Sequence, residues 1–472
     1  MGAIMSSPSG QSNDPARRVS AFVRAQGLWN DGARLLLAVS GGVDSIAMLH
    51  LLATEIGPAM RLRLAVAHVN HSLRAEAGED AVFVAARAAD YGLPSVTRTV
   101  DVPARVAETG ESVEEAAREL RYAALREMAA ETGSDIIATA HTADDQAETV
   151  LMRVLRGAGL TGLSGIPPQR GNIVRPLLPL WRAEIEAYVA AHALPFHVDA
   201  TNLSTEFFRN RIRHELLPLL ERDYAPRLRE RLARLAEMAR VDADYLDGIA
   251  EDTFRFICVR LPGGVALPVL SEEARSLRWR LWRQAIIAVR EELDAIGYEH
   301  LAAIDGLQLH EEVHLPGVRV IREGAQIVFL PADEADITIP EQAIPVPGKL
   351  HLPEIGYLTI QRSPYPLPLA QGDAAVLDAA TMDGPLRVRG WQPGDRYRPL
   401  GAPGTRKLQD IFVDAGVPKR LRERIPVVLD AHGIIWLAGF RIADRVKMVP
   451  TTSTTLKFDM QWEYSPWTLK AL

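Results

Sequence analysis

The first third of the chain reads as short apolar runs alternating with longer amphipathic ones. The runs "ARLLLAVS" (33–40), "RLRLAVAHVN" (61–70), "SVTRTVDV" (95–102) and "SDIIATAH" (134–141) have the length and residue content of strands. Between and after them, "DSIAMLHLLATEI", "AGEDAVFVAARAADYG", "SVEEAARELRYAALREMAAETG" and "ADDQAETVLMRVLRG" read as helices, the second ending at Gly92. This alternation predicts an α/β fold: a doubly wound parallel sheet whose ligands lie in the crevice at the carboxyl ends of the strands. Three polar segments directly follow strands, at 40–45, 68–74 and 141–148.

After Pro226 the pattern turns helical, through "RLRERLARLAEMARVDADYLDGIAEDTF" and a second helix at 272–293, with the hairpin-like "GVRVIREGAQIVFL" behind it. The Pro-rich "PADEADITIPEQAIPVPGKLHLPEIG" then marks a boundary before a smaller α+β region. The expected organisation is a disordered tail at 1–15, a catalytic domain at 16–222, a mainly helical central domain at 223–335 and a C-terminal domain at 336–472. A chain of 472 residues is long enough for about three domains.

Composition narrows the class. No apolar stretch reaches the roughly 20 residues of a membrane helix and the N-terminus lacks a hydrophobic signal core, so a cytoplasmic protein without membrane contact is expected. The single cysteine, Cys258, excludes an intrachain disulfide and any multi-cysteine metal site. A net charge of -7 argues against a nucleic-acid binder, but its distribution argues the other way. Residues 387–447 carry thirteen Lys/Arg against six Asp/Glu, and residues 207–240 carry nine Arg against five acids. One such run is ordinarily a solvated face; two on an otherwise acidic chain point to a polyanionic partner.

The loop "SGGVDS" (40–45) carries the chemistry. Gly41 and Gly42 let the backbone approach a ligand closely, Ser40 and Ser45 add hydroxyls, and the N–H groups of the following helix point at the turn, together forming an anion cradle. A tight turn with a helix cap at Asp44 or Ser45 would explain a lone Ser-Gly-Gly, but not Asp44 in an anion site, which makes sense with a metal ion between it and phosphate. The loop also lacks the lysine of G-x-x-x-x-G-K-[ST], so it suits an enzyme that splits ATP between the α- and β-phosphates and holds the departing pyrophosphate. In "AHTADDQAETVLMRVLRGAG" (140–159), Asp144, Asp145 and Glu148 share a helix face near its first turn, as stabilising N-terminal carboxylates or as magnesium ligands or a base. His141 is open between a site role and a satisfied strand-end histidine.

Residues 40–45 resemble the S-G-G-x-D-S PP-loop of the ATP pyrophosphatases, and 141–159 resembles the H-x-x-D-D-Q-x-E-T…R-G-x-G motif of the tRNA(Ile)-lysidine synthetase family. "HVNHSLR", "ARELRY", "GLSGI", "RPLL", "DATNLSTEFFRNRIRHELLPLL" and "WQPGDRYRPLGAPGTRKLQDIFVDAGVPKRLRERIPVV" stand in the family's order, so the resemblance spans nearly the whole chain. It implies that ATP, with Mg2+, adenylates the wobble cytidine of a CAU-anticodon tRNA(Ile) and that free L-lysine displaces AMP, with no obligate protein partner. ATP would bind Ser40, Gly41, Gly42, Val43, Asp44 and Ser45. Asp44, Arg121, Asp145 and Glu148 would be catalytic, Asp44 and Asp145 holding the metal and Arg121, with Arg118 the second choice, stabilising charge on the α-phosphate. Arg209, Asn210, Arg213, Arg396, Lys407, Lys419 and Arg420 would contact tRNA, and Phe207 or Phe208 could stack on a base. A PP-loop thiolase is disfavoured by the lone Cys258, an amidotransferase by the lack of a glutaminase-like region, and a non-catalytic RNA binder by the retention of Asp44, Asp145 and Glu148.

Overall fold

The computed structural model describes residues 14–70, 77–197, 208–261, 263–290, 295–333, 337–364 and 372–463. They fall into two compact units, Met1–Tyr245 and Leu246–Leu472. Of the tail expected at 1–15, only Asp14 and Pro15 are among the described residues; they open a helix, Pro15–Gln26, whose first turn Asp14 caps.

The first unit is built on one sheet of β1 (Arg34–Ala38), β2 (Arg63–Asn70), β3 (Ser95–Thr99), β4 (Ile136–Ala138), β5 (Gln169–Arg170) and β6 (Ile173–Val174), in the order β3-β2-β1-β4-β6-β5. Only β5 joins its neighbour antiparallel; the other pairs are parallel. β1 is central because Leu35, Leu36 and Leu37 are fully buried and alternate between two cores. Leu35 and Leu37 pack with Ile46 and Met48 of the helix Val43–Leu51, and Leu36 packs with Leu125 and Met128 of the helix Val113–Thr132. A strand covered on both faces reads as a continuous apolar run, which is how 33–40 reads.

From β1 the chain moves to β2 and β3 on one side and returns at β4 on the other. The strand order therefore reverses between β1 and β4, and the crevice opens where 40–45 and 141–148 leave the sheet. A third core completes the unit. Ala147, Val150 and Leu151 of the helix Ala143–Leu155 pack on Ile212, Leu217, Leu232 and Ala236, which brings the segment after Phe208 against the acidic helix.

Two local expectations change. The strand expected at 95–102 ends at Thr99, because Asp101 accepts the Ala104 N–H at 3.0 Å and caps an unanticipated helix, Val102–Thr109, with a proline in its first turn. The helix expected through Ile56 widens into a π-helical turn at Leu52–Ile56.

The second unit holds two large cores beside a small cluster of Ala266, Val328 and Leu330. Ala250, Trp282, Ile286, Leu301 and Phe329 form one, between the helices Arg275–Arg290 and Tyr298–Asp305 and an antiparallel sheet. That sheet comprises β7 (Val259–Leu261), β8 (Gly264–Pro268), β9 (Glu312–Leu315), β10 (Val318–Glu323) and β11 (Gln326–Pro331), in the order β7-β8-β11-β10-β9. Helical residues outnumber strand residues in this region, yet of the sheet only the β10–β11 hairpin was legible in the pattern. The other core, from Ile339 to Met460, is enclosed by two four-stranded sheets around Trp436 and Phe458.

Candidate active site

The loop after β1 is shaped by its glycines and tied by its serines. Gly41 adopts φ +93°, a conformation L side chains rarely take, and Gly42 caps the helix Val43–Leu51. The Ser40 and Gly41 N–H groups each donate to Ser45 Oγ at 3.2 Å, and the Ser45 hydroxyl donates to the Gly42 carbonyl at 2.9 Å. From outside, the His197 N–H holds the Gly41 carbonyl at 2.9 Å, with the His197 ring stacked on Phe83 at 4.0 Å. His68, in the second segment singled out, donates from Nδ1 to the Val39 carbonyl at 3.0 Å and braces the strand end; residues 71–74 lie outside the described residues.

Asp44 leaves the loop on the first turn of its helix. Arg182 Nη1 donates to Oδ2 at 2.5 Å, while Oδ1 is buried and meets no hydrogen-bond partner among the described residues. Burial raises the Asp44 carboxyl to about 6; Arg182 works against that rise, and the neighbouring Asp145 adds to it. A buried carboxylate oxygen with nothing to bind is costly, and an oxygen-seeking divalent cation is the group that would use it. Asp44 therefore fits the expected Mg2+.

The neighbouring acids divide by direction. Asp144 turns away from the loop: its Oδ2 accepts the Arg182 backbone N–H at 2.7 Å, at the start of the helix Arg182–Ala191. Asp145 uses Oδ2 to accept the Thr142 N–H at 2.8 Å, closing a capping box, and offers Oδ1 to Arg209 at 3.0 Å and Arg213 at 3.2 Å. Glu148, only 2% exposed, receives Arg209 Nε at 2.9 Å and a two-pronged contact from Arg213 at 2.5 and 2.9 Å. Although burial opposes it, Arg209, the Thr142 N–H and Arg213 hold Asp145 below the usual carboxylate range. With Arg182 on Asp44 and Arg229 Nε 3.7 Å from Asp144, four carboxylates face four guanidiniums.

A further set of cations has no such compensation. Arg118 and Arg121 stand 5.2 and 5.1 Å over the Tyr122 ring, and among the described residues no carboxylate pairs with either. Arg175, 3% exposed, is anchored to the Pro167 carbonyl at 2.7 Å. Against its own burial, Arg121, Arg118 and Arg175 hold the Tyr122 hydroxyl below its ordinary value. Burial, with Arg175, Arg121 and Arg209 nearby, pushes His141 down to about 3 despite Asp145, so its imidazole is neutral, held at Nδ1 by Thr139 Oγ1 at 3.1 Å.

The structure thus gathers Asp44, Asp145, Glu148, Arg209 and Arg213 at the switch point, with Asn210 half-buried between the two arginines in sequence. Phe208 packs on the third core, with Arg156 and Arg211 over its ring at 5.6 and 5.9 Å; Phe207 lies outside the described residues. In the second unit Arg396 and Lys407 are exposed and directly paired across two short strands, and Lys419 is exposed. Arg420 is turned inward instead: Nε bonds Glu323 at 3.0 Å and the side chain is 12% exposed, so it braces the unit rather than facing solvent. The residues that pattern reading missed are Arg182, Arg229 and Arg175. Arg182 carried a signal, since a cation in the first turn of a helix opposes the dipole and needs another reason to be there.

Comparison with known proteins agrees with this geometry. Residues 12–220 match the PP-loop domain family and residues 386–458 match the TilS substrate C-terminal domain. The tRNA(Ile)-lysidine synthase of Geobacter sulfurreducens is 40% identical, with 92% of this chain and 94% of the relative covered. Those of Symbiobacterium thermophilum and Caldanaerobacter subterraneus subsp. tengcongensis are 38% and 32% identical, covering 91% and 90% of this chain and 94% and 92% of their own lengths. From the pyrophosphate-type loop after β1 to the C-terminal domain, the chain belongs to the tRNA(Ile)-lysidine synthase family.

Proposed function

We propose that the protein joins free L-lysine to the wobble cytidine of a CAU-anticodon tRNA(Ile) in two steps, releasing pyrophosphate and then AMP. The observation that carries this reading is the convergence, at one switch point, of a loop without a lysine, the buried Oδ1 of Asp44 and the Asp145–Glu148–Arg209–Arg213 cluster. The loop's own contacts of 3.2 to 3.4 Å lie at the weak end of hydrogen bonding. Phosphate oxygens of ATP exchange for the Ser45 hydroxyl at the Ser40 and Gly41 N–H groups and for the Ser40 hydroxyl at the Gly42 N–H, giving all three charge-assisted bonds in return. Asp44, with Asp145 beside it, would hold Mg2+, and the bound ion would supply neutralisation of the departing pyrophosphate's charge.

In the first step the cytidine ring oxygen attacks the α-phosphorus and the bond to the β-phosphate oxygen breaks. Arg121, with Arg118 one helical turn away, carries uncompensated positive charge for the α-phosphate oxygens. In the second step the ε-amine of lysine attacks the adenylated ring carbon, AMP leaves, and one proton is lost from nitrogen. Asp145 and Glu148 orient the incoming amine and take that proton. They become available as Arg209 and Arg213 turn to the tRNA, whose phosphates compete for the same guanidiniums. Exposed Arg396, Lys407 and Lys419 extend the tRNA contact in a C-terminal tRNA-binding domain at 336–472, which follows a central domain at 223–335 in the chain. No helix among the described residues is long and apolar enough to cross a membrane, and the reaction's substrates place it in the cytoplasm.

Incubation of the protein with unmodified tRNA, ATP, Mg2+ and lysine, followed by nucleoside mass spectrometry, should show the wobble cytidine heavier by lysine less one water, with one AMP and one pyrophosphate formed per modified tRNA. AMP and pyrophosphate production that does not require the tRNA would refute the proposal, as would an unmodified cytidine.

A further inference from the structure

The loop helix Val43–Leu51 and the helix Arg182–Ala191 are joined at both ends. At their starts Arg182 bonds Asp44. At their far ends the Tyr188 hydroxyl donates to Glu55 Oε1 at 2.7 Å and lies 2.6 Å from His50 Nδ1, and the His50 and His192 rings stand 4.8 Å apart. First turns meet first turns and last turns meet last turns, so the helices run parallel. The far-end cluster takes no part in the site described above. His50, Glu55 and His192 can each offer a ligand atom, and these atoms all lie within 4.8 Å of one another.

The hydrogen bonds around the cluster prepare it for a metal. A carbonyl can only accept, so His192 Nδ1, 2.9 Å from the Tyr188 carbonyl, carries its proton and leaves Nε2 with the lone pair. Tyr188 gives its one proton to the Glu55 carboxylate and must accept from His50 Nδ1, which leaves His50 Nε2 in the same state. Such outer partners fix the tautomer and orientation of metal-binding imidazoles. The backbone contributes as well. Glu55 lies on the π-helical turn Leu52–Ile56, and a Cβ on Gly57 would come within 2.3 Å of the Leu52 carbonyl, so this turn requires glycine. The helix Arg182–Ala191 also ends here, with His192 at its C-cap, where its dipole favours a cation.

We propose that His50, Glu55 and His192 bind a divalent transition-metal ion of the zinc class, with Tyr188 as the outer partner that orients all three. Two imidazoles and one carboxylate are a borderline-soft set that suits zinc rather than magnesium. Zinc at about 2.0–2.1 Å from its ligands brings them to about 3.3 Å from one another. The exposed Glu55 and His192 side chains close that gap by rotation. The ion then clamps the far ends of the two helices whose starts present Asp44 and Arg182.

Titration calorimetry of the full chain with zinc chloride, in saturating Mg2+ to occupy the carboxylate site, tests this. One equivalent should bind with micromolar affinity. His192→Ala and Glu55→Gln should each weaken binding at least about tenfold, while Cys258→Ser leaves it unchanged. Glu55→Gln keeps the acceptor for Tyr188, so it decides the matter if His192→Ala melts early. Absence of stoichiometric zinc uptake by the unaltered protein at about 100 μM, or full-strength binding by Glu55→Gln, would overturn the proposal.

Discussion

Asp44→Asn separates what the active site needs from what the fold prefers. In the folded protein burial lifts the Asp44 carboxyl from 3.8 to about 6, with Arg182 opposing and Asp145 and Asp144 reinforcing the rise. The rise of about two pK units corresponds to at most about 3 kcal/mol, at 1.36 kcal/mol per unit. Because the folded value lies above the unfolded one, the native state holds an extra proton between about pH 4 and 6. Its stabilisation is complete below about pH 4, shrinks as pH rises through 6 and is absent above. Asparagine keeps the shape without the charge. At pH 8, free of ATP and metal, the variant's first unit should therefore be more stable by up to about 3 kcal/mol, a rise in melting temperature of about 6–12 °C for a unit of this size. At pH 4 the two proteins should melt together. Scanning calorimetry of the full chain resolves the transition, and the same variant should release no pyrophosphate. An equal or lower melting temperature for Asp44→Asn at pH 8 would show that the Arg182 pair outweighs burial, and that Asp44 is an ordinary structural ion-pair partner rather than a carboxylate kept at a cost for its ligand.

Glu148→Ala should destabilise the first unit by about 3 kcal/mol in urea denaturation, because it leaves Arg209 and Arg213 with Asp145 alone in a partly buried site; a variant within about 0.5 kcal/mol of the parent would mean the network is solvated. Gly41→Ala should cost about 1–2 kcal/mol, since φ +93° is strained for any L side chain, and should raise the KM for ATP; unchanged ATP kinetics would remove the loop from nucleotide binding. Arg396→Ala and Lys407→Ala should leave the melting temperature alone, weaken tRNA binding, and each lower the slope of log affinity against log salt by up to about one. Arg420→Ala should do the reverse, lowering the melting temperature of the second unit through loss of the Glu323 pair, with an unchanged salt slope; a reduced slope would return Arg420 to the tRNA surface.

How far the fold could be read from sequence depended on how local its causes are. β1 and the loop after it were legible because a strand buried on both faces needs an unbroken apolar run, and because Gly41 and the helix start are settled within a few residues. The helix at Val102–Thr109 was missed although its cap and proline are local, because "SVTRTVDV" alternates well enough to read as strand to its end. The sheet of the second unit was legible only where two strands follow one another with a tight turn, as β10 and β11 do. β8 pairs with β11 from some sixty residues away, and nothing in either segment names the other.

The site was legible in its parts and not in its pairing, for a reason visible in Asp144 and Asp145. They are consecutive and identical, yet successive residues on a helix point about 100° apart, so one faces the Arg182 N–H and the other the Arg209–Arg213 pair. Which acid turns which way is decided by the face of the helix that Ala147, Val150 and Leu151 bury. That face exists only because Ile212, Leu217 and Leu232 cover it. The same contact carries the basic stretch to the carboxylates, with Arg209 and Arg213 one helical turn apart and both reaching Glu148. A charge surplus in 207–240 could therefore suggest an anion without revealing that the protein's own carboxylates are the first anions it meets. Polyanion binding here is an exchange of partners rather than a gain of them, and that is why the salt-bridged arginines, more than the exposed ones, should set the specificity of the complex.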